Sequence, residues 1–212
     1  MSTIVFITPC WKKPRRLLER LARVLLAWLF GVLVLPALAG VELEQLRVER
    51  QDAELLLHAH LKLELGPALE EALAKGVPVH FVAEAELMRD RWYWYDRKLA
   101  QVSRYYRLAY QPLTRQWRLQ VSSDPIYAAG AGSSIAQTFD SLQAALEVVR
   151  RQSGWKLAEV ADLDPEARQH VLYRFRLDMT QLPRPFQIGA ANQPDWNLSL
   201  SRQLRIVTEA RP

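Results

Sequence analysis

The sequence predicts a mainly β exported domain: an antiparallel, sandwich-like fold of about seven or eight strands with two helices, an α+β arrangement being the alternative. Three observations predict it. Apolar residues recur with a period of two through most of the chain beyond residue 40, as strands with one wet face require. Only two stretches carry the period and punctuation of a helix. The first 39 residues differ in character from everything that follows.

Those 39 residues read as a secretory leader. Trp11-Lys12-Lys13-Pro14-Arg15-Arg16, Arg20 and Arg23 supply a basic region, and the uncharged run Val24 to Leu35 follows it. That run suits a signal peptide and falls short of the roughly 20 residues a bilayer span needs. Pro36 breaks it, and Ala37-Leu38-Ala39 offers small residues for cleavage between Ala39 and Gly40. The alternative is an uncleaved signal anchor, with membrane contact through residues 24–41. In both cases the positive charges keep the N-terminus inside and send the rest outward. The expected location is the periplasm or the periplasmic face of the cytoplasmic membrane, and residues 40–212 form a single domain.

The elements follow in order. In Leu55 to Leu65 every odd position is apolar, while His58, His60, Lys62 and Glu64 occupy even ones. Val41 to Glu49 is its expected hairpin partner across Arg50-Gln51-Asp52. Pro67 to Lys75 is a short helix with proline in its first turn and Gly76 as its C-cap. A long strand starts at Val77, with Val79, Phe81, Ala83, Ala85 and Leu87 inward, and loses phase at Arg89-Asp90-Arg91, where a bulge or bend is expected. Leu99 to Gln111 and Arg115 to Ser122 form a hairpin around Pro112-Leu113-Thr114, burying Trp117, Leu119 and Val121. Ala128 to Ser134 is a small flexible stretch. Asp140 or Ser141 caps a helix whose Leu142, Ala145, Leu146 and Val149 share one face, with Arg150 and Arg151 at its negative end and Gly154 ending it. His170 to Met179 and Asn197 to Val207 are the last strands.

Composition removes several function classes. The chain carries a formal charge of +5, but the first 39 residues hold six of the 28 Lys+Arg and one of the 23 Asp+Glu. The remainder therefore has 22 of each sign and no electrostatic footprint for nucleic acid. The single cysteine, Cys10, belongs to the leader, so the domain has no disulfide, thiol nucleophile or thiolate ligand.

Gly76-Val77-Pro78-Val79-His80-Phe81, Arg91-Trp92-Tyr93-Trp94, Leu113-Thr114-Arg115-Gln116-Trp117-Arg118-Leu119 and Arg176-Leu177-Asp178-Met179-Thr180-Gln181-Leu182-Pro183-Arg184-Pro185 resemble the proteobacterial domain-of-unknown-function family 4390. The resemblance covers nearly all of residues 40–212. It implies an exported envelope protein with no assigned activity and no established catalytic residues, and a link to a membrane sensor kinase.

Chemistry is sparse. His58 and His60 leave one face of a strand, as a metal pair would, and Glu84 or Glu86 would join them if that strand paired with the one after the short helix. Lys62 on the same face opposes a cation, and a solvated face explains the pair without a metal. His80 and His170 read as ordinary polar-face residues. There is no Gly-x-Ser-x-Gly elbow, and Gly130-Ala131-Gly132 lacks the context of a nucleotide loop. No catalytic residue and no cofactor is assigned. Arg91, Trp92, Tyr93, Trp94 and Tyr95 are the most distinctive feature. On a strand they would alternate faces, so one aromatic pair is expected to be exposed to a partner unless a second layer covers both. The expected function is a non-enzymatic interaction or regulatory domain whose partner is an envelope or inner-membrane protein. The alternative is a ligand- or metal-binding periplasmic protein using a cleft between the strand layers, with an envelope hydrolase third.

Overall fold

Strict alternation in β2 (Glu54–Glu64) sets the first sheet: Leu55, Leu57, Ala59, Leu61 and Leu63 are buried and the residues between them face outward. The computed structural model describes residues 40–91, 93, 95–126, 134–164, 167–184, 186–187 and 193–206. The expected leader, Trp92, Trp94 and all but the last residue of the 128–134 stretch lie outside the described residues. β1 (Gly40–Gln51) pairs antiparallel with β2 across a turn where Asp52 adopts φ +52°, a left-handed conformation that aspartate tolerates better than most residues. Among the described residues no helix is long and apolar enough to cross a membrane.

From β2 the chain crosses through α1 (Pro67–Ala74), which buries Leu69, Ala72 and Leu73 and ends at Gly76 with φ +83°. It enters β3 (Val79–Arg89), a central strand of the second sheet. β3 is flanked by β4 (Arg97–Gln111) and β8 (Gln169–Leu177), so Val79, Phe81, Ala83, Ala85 and Leu87 are fully covered. β5 (Gln116–Ser122) and β6 (Ser134–Phe139) extend the sheet on one side and β9 (Ser199–Ile206) on the other, giving the order β6-β5-β4-β3-β8-β9. β7 (Arg151–Glu159) completes the smaller sheet in the order β1-β2-β7. The two sheets share one core with α2 (Leu142–Arg150), which contributes Ala145, Leu146 and Val149. Phe81 and Phe175 stack across β3 and β8 with centroids 5.7 Å apart. Each fully buried leucine here contributes roughly 1.5–3 kcal/mol from apolar burial.

The mainly β, two-sheet, two-helix architecture is as expected, and the differences are local. The described residues hold nine strands, because β6 and β7 carry no clean period. β6 is an edge strand whose side chains are almost all exposed. In β7 the buried positions change phase, from Gln152 to Trp155 and Leu157, where Gly154 adopts φ +66° opposite a register shift in β2. Gly154 therefore bulges a strand and does not end the helix. α2 stops at Arg150 and β7 starts at once, because the Gln152 side chain donates to the Val149 carbonyl (3.0 Å) and satisfies a terminal acceptor. Ser141, of the two expected caps, accepts from the Ala144 N–H (3.2 Å).

Two further expectations are corrected. The strand does not continue past the phase change: β3 ends at Arg89 and β4 begins at Arg97, and the described residues between them, Asp90, Arg91, Tyr93, Tyr95 and Asp96, lie outside any strand. β2 does not pair with β3; each lies in its own sheet, because α1 carries the chain from one layer to the other.

Candidate functional site

Arg89 and Arg97 face each other as the last ladder pair of β3 and β4, and the chain between them forms the β3–β4 loop. Its root is tied to β8 and the segment before it. The Asp90 N–H donates to the Arg168 carbonyl (2.9 Å), and Arg89 Nη2 meets Asp164 Oδ2 at 2.7 Å. The antiparallel register sets Met88 opposite His170, which places the imidazole on the outer face of the large sheet beneath the loop. Asp90 Oδ1 lies 2.6 Å from His170 Nδ1, and Asp96 Oδ2 lies 3.9 Å from Nε2. Asp96 Oδ1 in turn accepts from the Arg91 N–H (3.3 Å). The two aspartates that bracket the aromatic run thus converge on one histidine, which is only 5% exposed although it sits on the polar side of its strand.

Above this root the loop presents its tyrosines to solvent. Tyr93 is 70% and Tyr95 89% exposed, two of the few large apolar side chains so displayed among the described residues, and Arg91 and Arg97 beside them are exposed as well. Burying one tyrosine ring in a partner's pocket removes about 150–250 Å² of side chain from water and brings a hydroxyl for a hydrogen bond. Guanidinium groups alongside add charge-assisted bonds to carboxylates.

The sheet surface beside the loop is a lattice of paired charges. Glu86 sits between Arg174 (3.1 Å) and Lys98 (3.3 Å), and Glu84 faces Arg176 (3.9 Å). His80 is the exception. Its Nδ1 is buried with no hydrogen-bond partner, and burial, helped by the nearby Arg107 and opposed by Asp178, lowers its pKa from 6.5 to about 4. This side chain is therefore neutral at physiological pH.

His58 and His60 lie elsewhere, on the outer face of the small sheet. His60 Nδ1 meets Glu44 at 2.9 Å, and His58 Nε2 lies 3.8 Å from Glu49. They line a cavity of about 290 Å³ together with Gln45, Arg47, Arg151 and Gln152. Glu84 and Glu86, expected as a third ligand, belong to the other sheet. The expected cleft between the layers is filled by core side chains, and the cavity opens on the outer side of β1, β2 and β7. Two arginines in its wall suit an anion better than a metal ion.

Sequence reasoning located the loop and missed its root. Asp90 and Asp96 flank the aromatic run closely, which is a signal available from sequence. His170 is 80 residues from Asp90, and only the β3–β8 register reveals that it belongs to the same site.

A family model described as "Domain of unknown function (DUF4390)" matches residues 39–205. The chain belongs to that family. No curated protein and no solved structure matches it.

Proposed function

We propose that this member of the DUF4390 family is a non-catalytic interaction domain of the cell envelope, exported by its leader and docking an envelope or inner-membrane protein through the β3–β4 loop. The observation that carries the proposal is the pairing of a firmly tied root with exposed aromatic side chains. Asp90, Arg89 and Arg91 are each held by a hydrogen bond or ion pair, while Tyr93 and Tyr95 are 70% and 89% exposed. A loop whose base is already ordered loses little entropy on docking, and Tyr and Arg are the side chains in which binding energy concentrates. Regulation of a membrane sensor is the role such docking would serve at the periplasmic face.

The test is Tyr93→Ala/Tyr95→Ala in the full chain, with crosslinking in intact membranes and capture of the adduct. The variant loses the adduct that the wild type forms and keeps the wild-type melting temperature, since neither ring is packed in the core. An adduct of equal yield from the variant refutes docking through the loop.

One observation favours a second reading. The cavity lined by Arg47, Arg151, His58 and His60 offers donors to a small anion. Wild-type protein that binds inorganic phosphate or a carboxylate saturably, and loses it in Arg47→Ala/Arg151→Ala, would support that ligand-binding role instead.

A further inference from the structure

We infer that Asp96 and His170, with Asp90 holding the imidazole from behind, form a binding site for a divalent first-row transition-metal cation at the root of the β3–β4 loop. One ligand atom from each residue lies within 4.8 Å of the other two. At 2.6 Å, the contact between Asp90 Oδ1 and His170 Nδ1 holds a proton between them. With Nδ1 directed at Asp90, the ring turns Nε2 towards Asp96 Oδ2 across 3.9 Å. The gap exceeds a hydrogen bond of about 2.7–3.2 Å. It is close to what two ligands span when each sits about 2.0–2.2 Å from a shared metal ion.

The surrounding groups support a cation at this point. Among the described residues no lysine or arginine pairs with Asp90 or Asp96, whose charged contacts are both to His170. The nearest basic residues in sequence are engaged elsewhere or exposed: Arg89 holds Asp164, and Lys98 holds Glu86. Two carboxylates and an imidazole are ligand types that a transition-metal ion takes. Asp90, hydrogen-bonded to Nδ1, fixes the ring's tautomer and orientation, as a carboxylate behind a ligating histidine does. The imidazole nitrogen favours a transition metal over magnesium or calcium. Both carboxylates remain open to solvent, with side-chain exposures of 41% and 42%, so an ion can enter and waters can complete its shell. Binding would clamp Asp96, at the β4 end of the loop, to β8.

The experiment titrates the full-length protein with zinc chloride at neutral pH by calorimetry, with a parallel thermal melt. Wild type binds saturably with a micromolar or tighter dissociation constant, and its melting temperature rises. Asp96→Asn, at an exposed position, melts like wild type without zinc and binds it about 10–100-fold more weakly. His170→Gln removes the imidazole directly; if it fails to fold, Asp96→Asn carries the test. His58→Ala/His60→Ala binds like wild type. Absence of saturable binding, undiminished affinity in Asp96→Asn, loss of binding in the His58/His60 variant, or an equal response to magnesium overturns the assignment. The inference does not depend on docking through the loop, because zinc affinity and partner capture are separate measurements.

Discussion

Removing a single buried hydroxyl, in Tyr173→Phe, tests how the two sheets are joined. Tyr173 projects from β8 in the large sheet, and its hydroxyl donates to Gln152 Oε1 on β7 in the small one at 2.8 Å, with both residues buried. Burial holds the phenol well above the usual tyrosine range, with Tyr106 acting in the same direction and the bond to Gln152 opposing it, so the donor stays protonated at every working pH. Phenylalanine keeps the ring and leaves the Gln152 oxygen without a donor, which costs about 1–3 kcal/mol. For a domain of this size about 2 kcal/mol lowers the melting temperature by roughly 4–8 °C. Gln152→Leu removes the same bond and also the donor to the Val149 carbonyl (3.0 Å), so it costs more. The double variant should be less damaged than the sum of the two by about 0.5–1.5 kcal/mol. Urea unfolding of all four proteins, followed by tryptophan fluorescence, measures the cycle. Additivity within about 0.3 kcal/mol would show that the bond across the sheets contributes nothing.

Two further predictions concern stability. His80 has a folded pKa of about 4 against an ordinary value of 6.5, so its contribution is fully present above pH 6.5. It is lost as pH falls towards 4, because the unfolded chain takes up the proton first. The full interval would be worth about 3 kcal/mol, and the ring's partial contact with water reduces this to roughly 1–2 kcal/mol. Urea midpoints at several pH values should therefore fall more steeply for wild type than for His80→Leu, and parallel curves would refute the effect. Gly66→Ala would place its Cβ 2.3 Å from Asp195 Cγ, displacing the carboxylate that accepts the Ala68 N–H at the start of α1 (3.2 Å). A loss of roughly 1–3 kcal/mol is expected, relieved by adding Asp195→Gly; a Gly66→Ala protein as stable as wild type would contradict the close approach.

Sequence alone determined most of the elements and their buried faces, because alternation is a local property. A strand with one wet face must write its period into consecutive residues, as Leu55 to Leu65 and Val79 to Leu87 do. It also located the Arg91–Tyr95 segment as the place to look, since four aromatics in a row between charges cannot all enter one core. Two elements escaped for physical reasons. β7 changes phase at the Gly154 bulge, and β6, an edge strand with almost no buried side chain, has little reason to alternate.

Tertiary structure alone decided which strands meet. Separating β2 from β3 removed Glu84 from His58 and His60, and pairing β3 with β8 brought His170 to Asp90 and Asp96. Strand register arises from packing between segments far apart in the chain, so no local pattern encodes it. The distinctive aromatic run was legible as a sequence of letters; that its tyrosines lie outside any strand and are exposed, above a buried histidine between two carboxylates, depended on the sheet beneath it.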